Sequence, residues 1–487
     1  MNKRSLWTST AAALLVAAAL AGCGTTTYFA GRTLPPSGIA NRVMIAIQNP
    51  SAFSNGALQF VDAYYDIRFK YNSANTGPAF SIGGYSGNLP LTIQNMPEEL
   101  TGAVYSSGDG GFNLISYNQE KLNGSVGGLN GKSSSIFITR NQSYAFAASQ
   151  SSHVLTVVDR SSTSAGTYAL SLPGVYRVSV NPGGSVALAF VQNSNYVYYP
   201  RKLTAAQSLA YSGGPSTWPT GAMDCEPQNA PGWCLFQALS PDDNQPLVFD
   251  RPVKAVFSAD GGTAYVLNCG PECGGTASSV SPLPVGPLIY LLGEQSGTLP
   301  THTALTSSTI PISGGASNAL VNSSTLYVVG QKLMHDGFWG GYLTVVNLLT
   351  NTVVTSTGSV PNPVSISDGA PGALSRMLQA DDNTLWIAMT QCTNGERANN
   401  GLPYGCLTMF NTSTNKVTLL EPFVGGDATG IAAVTGLHKI YTAEAGQVYI
   451  YSTVDGTSID NQYVTVTGTA YDVAYMDGLT DANNTVY

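Results

Sequence analysis

The chain has 487 residues, of which only 10% are charged, and its formal net charge at neutral pH is −8. An acidic protein with so few basic residues is not expected to bind nucleic acid, or to dock on anionic lipid through charge. Gly, Ser, Thr, Asn and Tyr are abundant. This composition is typical of a turn-rich, all-β protein rather than a helical one.

Residues 1–22 are predicted to be a secretory signal peptide. Lys3 and Arg4 precede an apolar run at residues 11–20. A transmembrane helix is the alternative, but it needs ~20 apolar residues and this run is shorter. The segment ends in Leu20-Ala21-Gly22-Cys23, which resembles the lipobox of bacterial lipoproteins. That resemblance implies cleavage before Cys23 and lipidation of its thiol.

Residues 23–40 are mostly small and polar, and they are predicted to form the lipidated cysteine and a flexible tether. Such a chain would lie in the bacterial cell envelope and attach to the membrane through its acyl chains. Gly24, rather than Asp, follows the cysteine. This favours the outer membrane, with the protein facing either the periplasm or the cell surface.

Residues 41–487 are predicted to be one domain built from an internal repeat. Each copy has an apolar strand, a turn containing Asp, Asn or Gly, and a second strand that is again apolar. The clearest copies are residues 256–266 (VFSADGGTAYV) and 178–188 (VSVNPGGSVAL). A third strand follows, as in residues 343–347 (LTVVN), and some copies add a polar turn and a fourth strand. Four short antiparallel strands per unit predict the blades of a β-propeller.

This pattern of strand, Asp-Gly turn, Tyr-Val pair and later Thr-Asn resembles the YVTN-type repeat of lactonase-like and quinoprotein-like β-propellers. The resemblance implies the fold and says little about function. Units begin near residues 88, 132, 175, 252, 315, 372 and 427, and a further one would be split between the chain ends. The prediction is an all-β propeller of seven or eight four-stranded blades, whose ring closes by pairing N- and C-terminal strands.

The sequence has seven cysteines, and six remain if Cys23 carries lipid. In an exported protein an even number of neighbouring cysteines predicts disulfides. The neighbouring pairs are Cys225 with Cys234, Cys269 with Cys273, and Cys392 with Cys406. A zinc site at the second pair is the alternative. It would need two more ligands, and none of the four His is close in sequence, so no metal is expected.

Four segments exceed what a bare blade of roughly 40 residues needs. These insertions lie near residues 201–250, 268–286, 330–341 and 390–406. The last three are predicted to connect second to third strands, which would place them on one face of the ring. Long loops on a rigid scaffold favour a binding surface, with loop drift as the alternative.

The 330–341 segment contains His335, Asp336 and Trp339, which are candidate ligand-binding residues on that face. Trp339 could stack on a sugar or an aromatic group. The alternative for these residues is a satisfied loop turn with an aromatic plug.

The sequence carries no Gly-x-Ser-x-Gly elbow, His-Glu-x-x-His pair or Walker loop. We therefore assign no catalytic residue, no metal and no cofactor. The prediction is an envelope-anchored binding or interaction module, whose partner is an envelope protein or a glycan. The alternative is a lactonase-like or lyase-like enzyme with a site at the mouth of the central channel. Whether the protein is an enzyme stays open, and the absence of a catalytic motif in the sequence favours a binding function.

Overall fold

The computed structural model describes residues 32–480, with short internal gaps. The gaps are residues 52–53, 70–78, 130–131, 134, 162–165, 228–231, 287–298, 334–338, 358–359, 368–375, 391–405 and 421–425. Apart from one two-stranded hairpin, the described residues form eight antiparallel sheets that follow one another along the chain. The first strands of neighbouring sheets pack side by side. The fold is therefore an eight-bladed β-propeller, and the weakly repeated segment near residue 88 is a complete blade.

Five blades, 1, 2, 4, 6 and 7, have four strands each, paired in chain order. Blade 1 comprises Pro90–Met96, Thr101–Ser106, Gly111–Ser116 and Lys121–Val126. Blade 2 comprises Ser135–Ile138, Tyr144–Ser149, Val154–Asp159 and Gly166–Ser171. Blade 6 comprises Arg376–Ala380, Thr384–Ala388, Leu407–Asn411 and Lys416–Leu420. Blade 7 comprises Ala428–Val434, Lys439–Glu444, Gln447–Ser452 and Ser458–Val464.

Blades 3 and 5 each have a fifth strand, whereas blade 4 has a very short fourth strand. Blade 3 comprises Val175–Val180, Ala187–Val191, Val197–Lys202 and Trp233–Gln237, with Ala222–Glu226 as a fifth, outermost strand. Blade 4 comprises Pro252–Phe257, Thr263–Asn268, Ser279–Pro284 and the short Ile310–Pro311. Blade 5 comprises Asn318–Asn322, Thr325–Leu333, Trp339–Asn347 and Thr352–Val353, and Val364–Ser367 also pairs with its third strand.

The remaining regular elements are short. Two helices, α1 (Ala205–Tyr211) and α2 (His302–Ser308), follow the third strands of blades 3 and 4. A separate hairpin pairs Ser356–Thr357 with Val360–Pro361. Single 3-10 turns occupy Pro97–Glu99, Pro215–Thr217, Gly270–Cys273 and Asp381–Asn383.

Polar side chains close the turns between first and second strands, as the repeat pattern predicts. In blade 3, Asn181 Oδ1 accepts the backbone N–H groups of Ser185 and Val186 at 2.8 and 2.9 Å. In blade 4, Asp260 Oδ1 accepts the N–H of Gly262 at 3.0 Å. Gly261 has a φ of +70°, a backbone conformation that glycine adopts without steric cost. These local bonds explain why the sequence pattern marks blade positions so well.

Blade 8 closes the ring by combining the two ends of the chain. Its innermost strand is the C-terminal Thr469–Tyr475, and the N-terminal strands Arg42–Gln48 and Gly56–Asp62 follow outwards. The predicted closure by terminal strands is thus confirmed. Arg42 holds the junction: its guanidinium donates to Asp477 Oδ1 at 2.6 Å and to Glu120 Oε1 at 2.9 Å. All three side chains are buried.

The core consists of apolar layers between adjacent blades, to which buried aromatic side chains contribute. Trp233 of blade 3 is fully buried and packs against Tyr144, Phe146 and Tyr168 of blade 2. Trp386 of blade 6 lies against Tyr451 of blade 7. Such contacts hold neighbouring blades together, because a single sheet cannot cover its own apolar faces.

Up-and-down connectivity gives the ring two distinct faces. Connections between strands 1 and 2, and between strands 3 and 4, lie on what we call the turn face, which includes residues 97–100. Connections between strands 2 and 3 lie on the opposite face, which we call the loop face and which includes residues 269–278. Within the 201–250 insertion, residues 203–232 join strands 3 and 4 of blade 3, so they leave from the turn face.

The insertions differ in detail from the prediction. In the 268–286 segment, Ser279–Pro284 is the third strand of blade 4, and the extra length of this blade lies between strands 3 and 4, where α2 packs. In the 330–341 segment, both flanking strands extend, to Leu333 and from Trp339. These strand segments are rich in Ser, Gly and Pro, as loops are, and for that reason the sequence pattern predicted loops there. Most of the 390–406 segment lies outside the described residues.

Part of the predicted tether, residues 23–40, packs against the ring. The Arg32 guanidinium donates to the carbonyls of Pro97 and Gly478, both at 3.1 Å, and the Ser37 hydroxyl donates to Glu120 at 2.6 Å. Ile39 joins the apolar core. Sequence composition did not show this docking, because it depends on acceptors that are distant in sequence.

Candidate functional site

The first strands of the blades surround a cavity of about 510 Å³ in the central channel. Blades 1 to 6 contribute its lining, from Asn318 and Arg376 at the start of their strands to Pro182, Ala259 and Ser323 on the turn face. Its volume is within the range of small-molecule pockets, roughly 300–1,000 Å³. The channel is therefore one candidate site, and it reaches the turn face.

The charges lining this cavity are cationic. Arg140, Lys254 and Arg376 line it, and none of the described lining residues is a carboxylate or a histidine. Arg140 pairs with Glu98 at 2.9 Å, where both side chains are substantially exposed. Arg376 pairs with the buried Asp472 of blade 8 and also donates to Thr92 Oγ1 at 2.9 Å. The positive lining contrasts with the negative net charge of the whole chain.

Lys254 is the channel cation with the most perturbed protonation. Its Nζ donates to Asn318 Oδ1 at 2.8 Å. Burial and, to a smaller extent, the positive charges of Arg177 and Arg376 together lower the pKa of Lys254 to about 7. At neutral pH this amine therefore exists both as ammonium and as free base, unlike an ordinary lysine.

A second candidate site is a cleft between blades 4 and 5, with a volume of about 820 Å³. One wall comes from the blade 4 loop, with Pro271, Ala277 and Ser278. The other comes from the extended hairpin of blade 5, with Leu333 and Trp339. Both connections leave from the loop face. The outer strands Ile310–Pro311 and Thr352–Val353 complete the lining.

A hydrogen bond joins the two walls of this cleft. Glu272 Oε2 accepts the backbone N–H of Gln331 at 3.1 Å. Burial raises the pKa of Glu272 to about 7. The Cys269–Cys273 disulfide lies in the same loop as Glu272 and pins the short 3-10 turn there. The shape of this wall is thus fixed by a covalent bond and by a contact to the next blade.

The predicted disulfides can be placed in part. The structure forms the Cys225–Cys234 bridge, between the two outermost strands of blade 3, and the Cys269–Cys273 bridge. Cys406 is also disulfide-bonded, and its predicted partner Cys392 lies outside the described residues. Since both sulfurs of the Cys269 pair are bonded to each other, the zinc alternative does not apply there.

Of the other predicted site residues, Trp339 lines the blade 4–5 cleft and is half-buried. His335 and Asp336, from the same segment, lie outside the described residues, as does the predicted lipidation site Cys23. Across the residues that are described, no group of three or more His, Cys, Asp or Glu side chains could hold a metal ion. Nor does any helix in this part of the chain have the length and apolarity to cross a membrane.

Sequence reasoning missed the channel residues Lys254, Asn318 and Arg376. They are far apart in the chain, and each lies in a short strand that is mostly apolar. The two cations could have been predicted from one sequence pattern, because the first strands of three units each contain a cation: Arg177, Lys254 and Arg376. First strands line the channel of a propeller, so cations repeated at that position predict a charged channel.

The chain has only distant similarity to known proteins. No protein-family model matches the chain, and no curated protein matches it. Among solved structures, hydrazine synthase of Kuenenia stuttgartiensis matches 79% of this chain and 99% of its own, with 11% identity and a TM-score of 0.43. A provisionally assigned 6-phosphogluconolactonase from Bacteroides fragilis matches 91% and 99%, with 10% identity and a TM-score of 0.41.

A third similar structure is the dihydro-heme d1 dehydrogenase NirN. It matches 92% of this chain and 79% of its own, with 11% identity and a TM-score of 0.46. At this level of identity the likeness concerns the fold alone, because one propeller scaffold carries many unrelated functions.

Proposed function

We propose that this chain is a lipid-anchored binding module of the bacterial envelope, which meets a protein or glycan partner at its loop face. The observation that carries the proposal is the position of the N-terminal segment. Arg32 and Ser37 are held on the turn face, opposite the loop face, through Pro97, Gly478 and Glu120.

The distance from the lipid to this contact is limited by the covalent chain. From Cys23 to Arg32 an extended polypeptide spans at most about 30 Å. A lipid on Cys23 would therefore keep the turn face towards the membrane and leave the loop face free. In this orientation the cleft between blades 4 and 5 faces away from the membrane and is accessible to a partner.

The cleft also has the chemistry of a binding surface. Its lining combines apolar and aromatic side chains, among them Ile310, Leu333 and Trp339, with polar groups at Ser278 and Gln331. The Leu333 side chain is 55% exposed, although it is large and apolar. An exposed apolar patch framed by polar residues on a rigid scaffold is typical of interaction sites.

The test is site-specific photocrosslinking in the envelope of the producing bacterium. A photoreactive residue replaces Lys332 on the loop face in one variant, and Lys416 on the turn face in a matched control. Both lysines are exposed. We expect a discrete adduct from position 332 only, and Trp339→Ala should weaken it. Adducts that form only from position 416 would overturn the proposal.

The alternative function is an enzyme at the mouth of the central channel. One observation favours it: an amine with a pKa of about 7, like that of Lys254, could act as a nucleophile or a general base. Proton transfer or covalent catalysis usually needs a second titratable group nearby, and the described lining offers only guanidinium groups. Binding therefore remains the better-supported function, and loss of a measured lactonase or lyase activity in Lys254→Met would reverse that order.

A further inference from the structure

Two other lysines that are at least partly buried in the described part of the chain pair with a carboxylate. Lys202 Nζ lies 2.7 Å from Asp159 Oδ2, and it also donates to Ser161. Lys439 Nζ lies 2.7 Å from Asp66 Oδ2 and donates to the Ala63 carbonyl. This is the expected arrangement, because a buried charge without a counter-ion is costly.

Lys254 departs from that arrangement. Its acceptor among the described residues is the neutral amide oxygen of Asn318. An ammonium has three donors, so this bond leaves two of them for a partner in the channel. Its nearest charges, Arg177 on the first strand of blade 3 and Arg376 on that of blade 6, are also positive. Among the described residues, Lys254 therefore has no carboxylate partner, and the charges that act on it are positive.

The neighbouring groups do not provide compensation. Asp472 lies near the channel, but its carboxylate is engaged by Arg376 at Oδ1 and by Thr92 and the Ile93 N–H at Oδ2. Glu98 pairs with Arg140 in an exposed position. These carboxylates have partners of their own, which leaves Lys254 as the cation that an external anion could neutralise.

We propose that the central channel binds a small ligand through an oxyanion group, a carboxylate or a phosphate, with the Lys254 ammonium as its main donor. The ligand would reach Lys254 from the turn face and lie within the 510 Å³ cavity, beside Asn318. This site is separate from the loop-face cleft. The two proposals are therefore independent, and failure of anion binding would not affect the proposed partner binding.

The test is isothermal titration calorimetry of the purified mature domain with two probes, inorganic phosphate and succinate. We expect saturable binding of at least one probe; phosphate alone would identify a phosphate site, and succinate alone a carboxylate site. Lys254→Met should weaken binding roughly ten- to a hundredfold, since it removes a charge-assisted hydrogen bond. Lys416→Met removes the same charge from the surface and should bind as the wild type does.

The pH dependence gives a second readout. The charged groups that act on Lys254 are Arg177 and Arg376, which keep their charge across the neutral range. Only protonated Lys254 can neutralise an anion, so its affinity for the probe that binds should fall at least about tenfold from pH 7 to pH 9. Succinate keeps a constant charge over this range. Lys254→Met should abolish this dependence.

Stability distinguishes a ligand site from a structural role. If the counter-ion of Lys254 is an external ligand, Lys254→Met removes an unpaired charge from the free protein. At pH 6 the thermal midpoint of this variant should then equal or exceed that of the wild type. Either of two results would overturn the proposal. One is the absence of binding of both probes at millimolar concentration, and the other is unchanged affinity in Lys254→Met.

Discussion

The contact that closes the ring provides a quantitative prediction for stability. Arg42, on the second strand of blade 8, donates to Asp477 beyond the innermost strand and to Glu120 of blade 1. The exposed fractions of the three side chains are 2%, 5% and 8%. Arg42→Met leaves two buried carboxylates without their cation. Removing one member of a buried ion pair costs about 3–5 kcal/mol, and here two pairs share the arginine.

Urea unfolding followed by tryptophan fluorescence and far-UV circular dichroism measures this loss. The matched control is Arg140→Met, because the Arg140–Glu98 pair is exposed and should contribute less than about 1 kcal/mol. The triple variant Arg42→Met, Glu120→Gln, Asp477→Asn should recover much of the lost stability, since no buried charge then remains. If Arg42→Met costs no more than Arg140→Met, the ring is not held closed in this way.

Three further predictions concern single positions. Burial raises the pKa of Glu444 to about 8. Because this pKa is higher in the folded than in the unfolded state, the contribution of Glu444 to stability falls as the pH rises from about 4.5 to about 8. Glu444→Gln should therefore raise the thermal midpoint at pH 8 and have little effect at pH 4.5. A midpoint lowered at pH 8 would contradict this. A Cβ at Gly430 would lie 2.7 Å from the Cα of Asp472, so Gly430→Ala should lower the midpoint by several degrees, whereas Gly127→Ala, where a Cβ meets nothing within 4 Å, should not. Cys273→Ser opens a loop of only a few residues and should cost about 2 kcal/mol or less while far-UV circular dichroism stays native; global unfolding would show that this bridge supports the ring.

The blades could be predicted from the sequence because their determinants are local. The alternation of apolar residues and the Asp-Gly or Asn-containing turns lie within about a dozen residues, and the turn oxygens bond to their own neighbours, as at Asn181 and Asp260. Ring closure was also predictable, because strand-like segments at both chain ends would otherwise expose open edges.

The insertions and the sites could be predicted only in part. The segment predicted to connect strands 2 and 3 of blade 4 was too long, because residues 279–284 (SVSPLP) have the composition of a loop and yet form a strand. Trp339 was predicted as a ligand-face residue, and it lines a cleft whose other wall comes from the preceding blade. The channel cluster joins Lys254 to Asn318, which is 64 positions away in the chain. Contacts over that separation depend on the ring geometry and leave no local pattern.

In the proposed arrangement, a lipid anchor on Cys23 lies at the turn face and the loop face points away from the membrane. The most direct measurement uses the lipidated full-length protein in vesicles, with a fluorophore in place of Lys332 or Lys416 and an energy-transfer acceptor in the lipid. We predict more efficient transfer from position 416, on the turn face, than from position 332 on the loop face. More efficient transfer from position 332 would contradict the account.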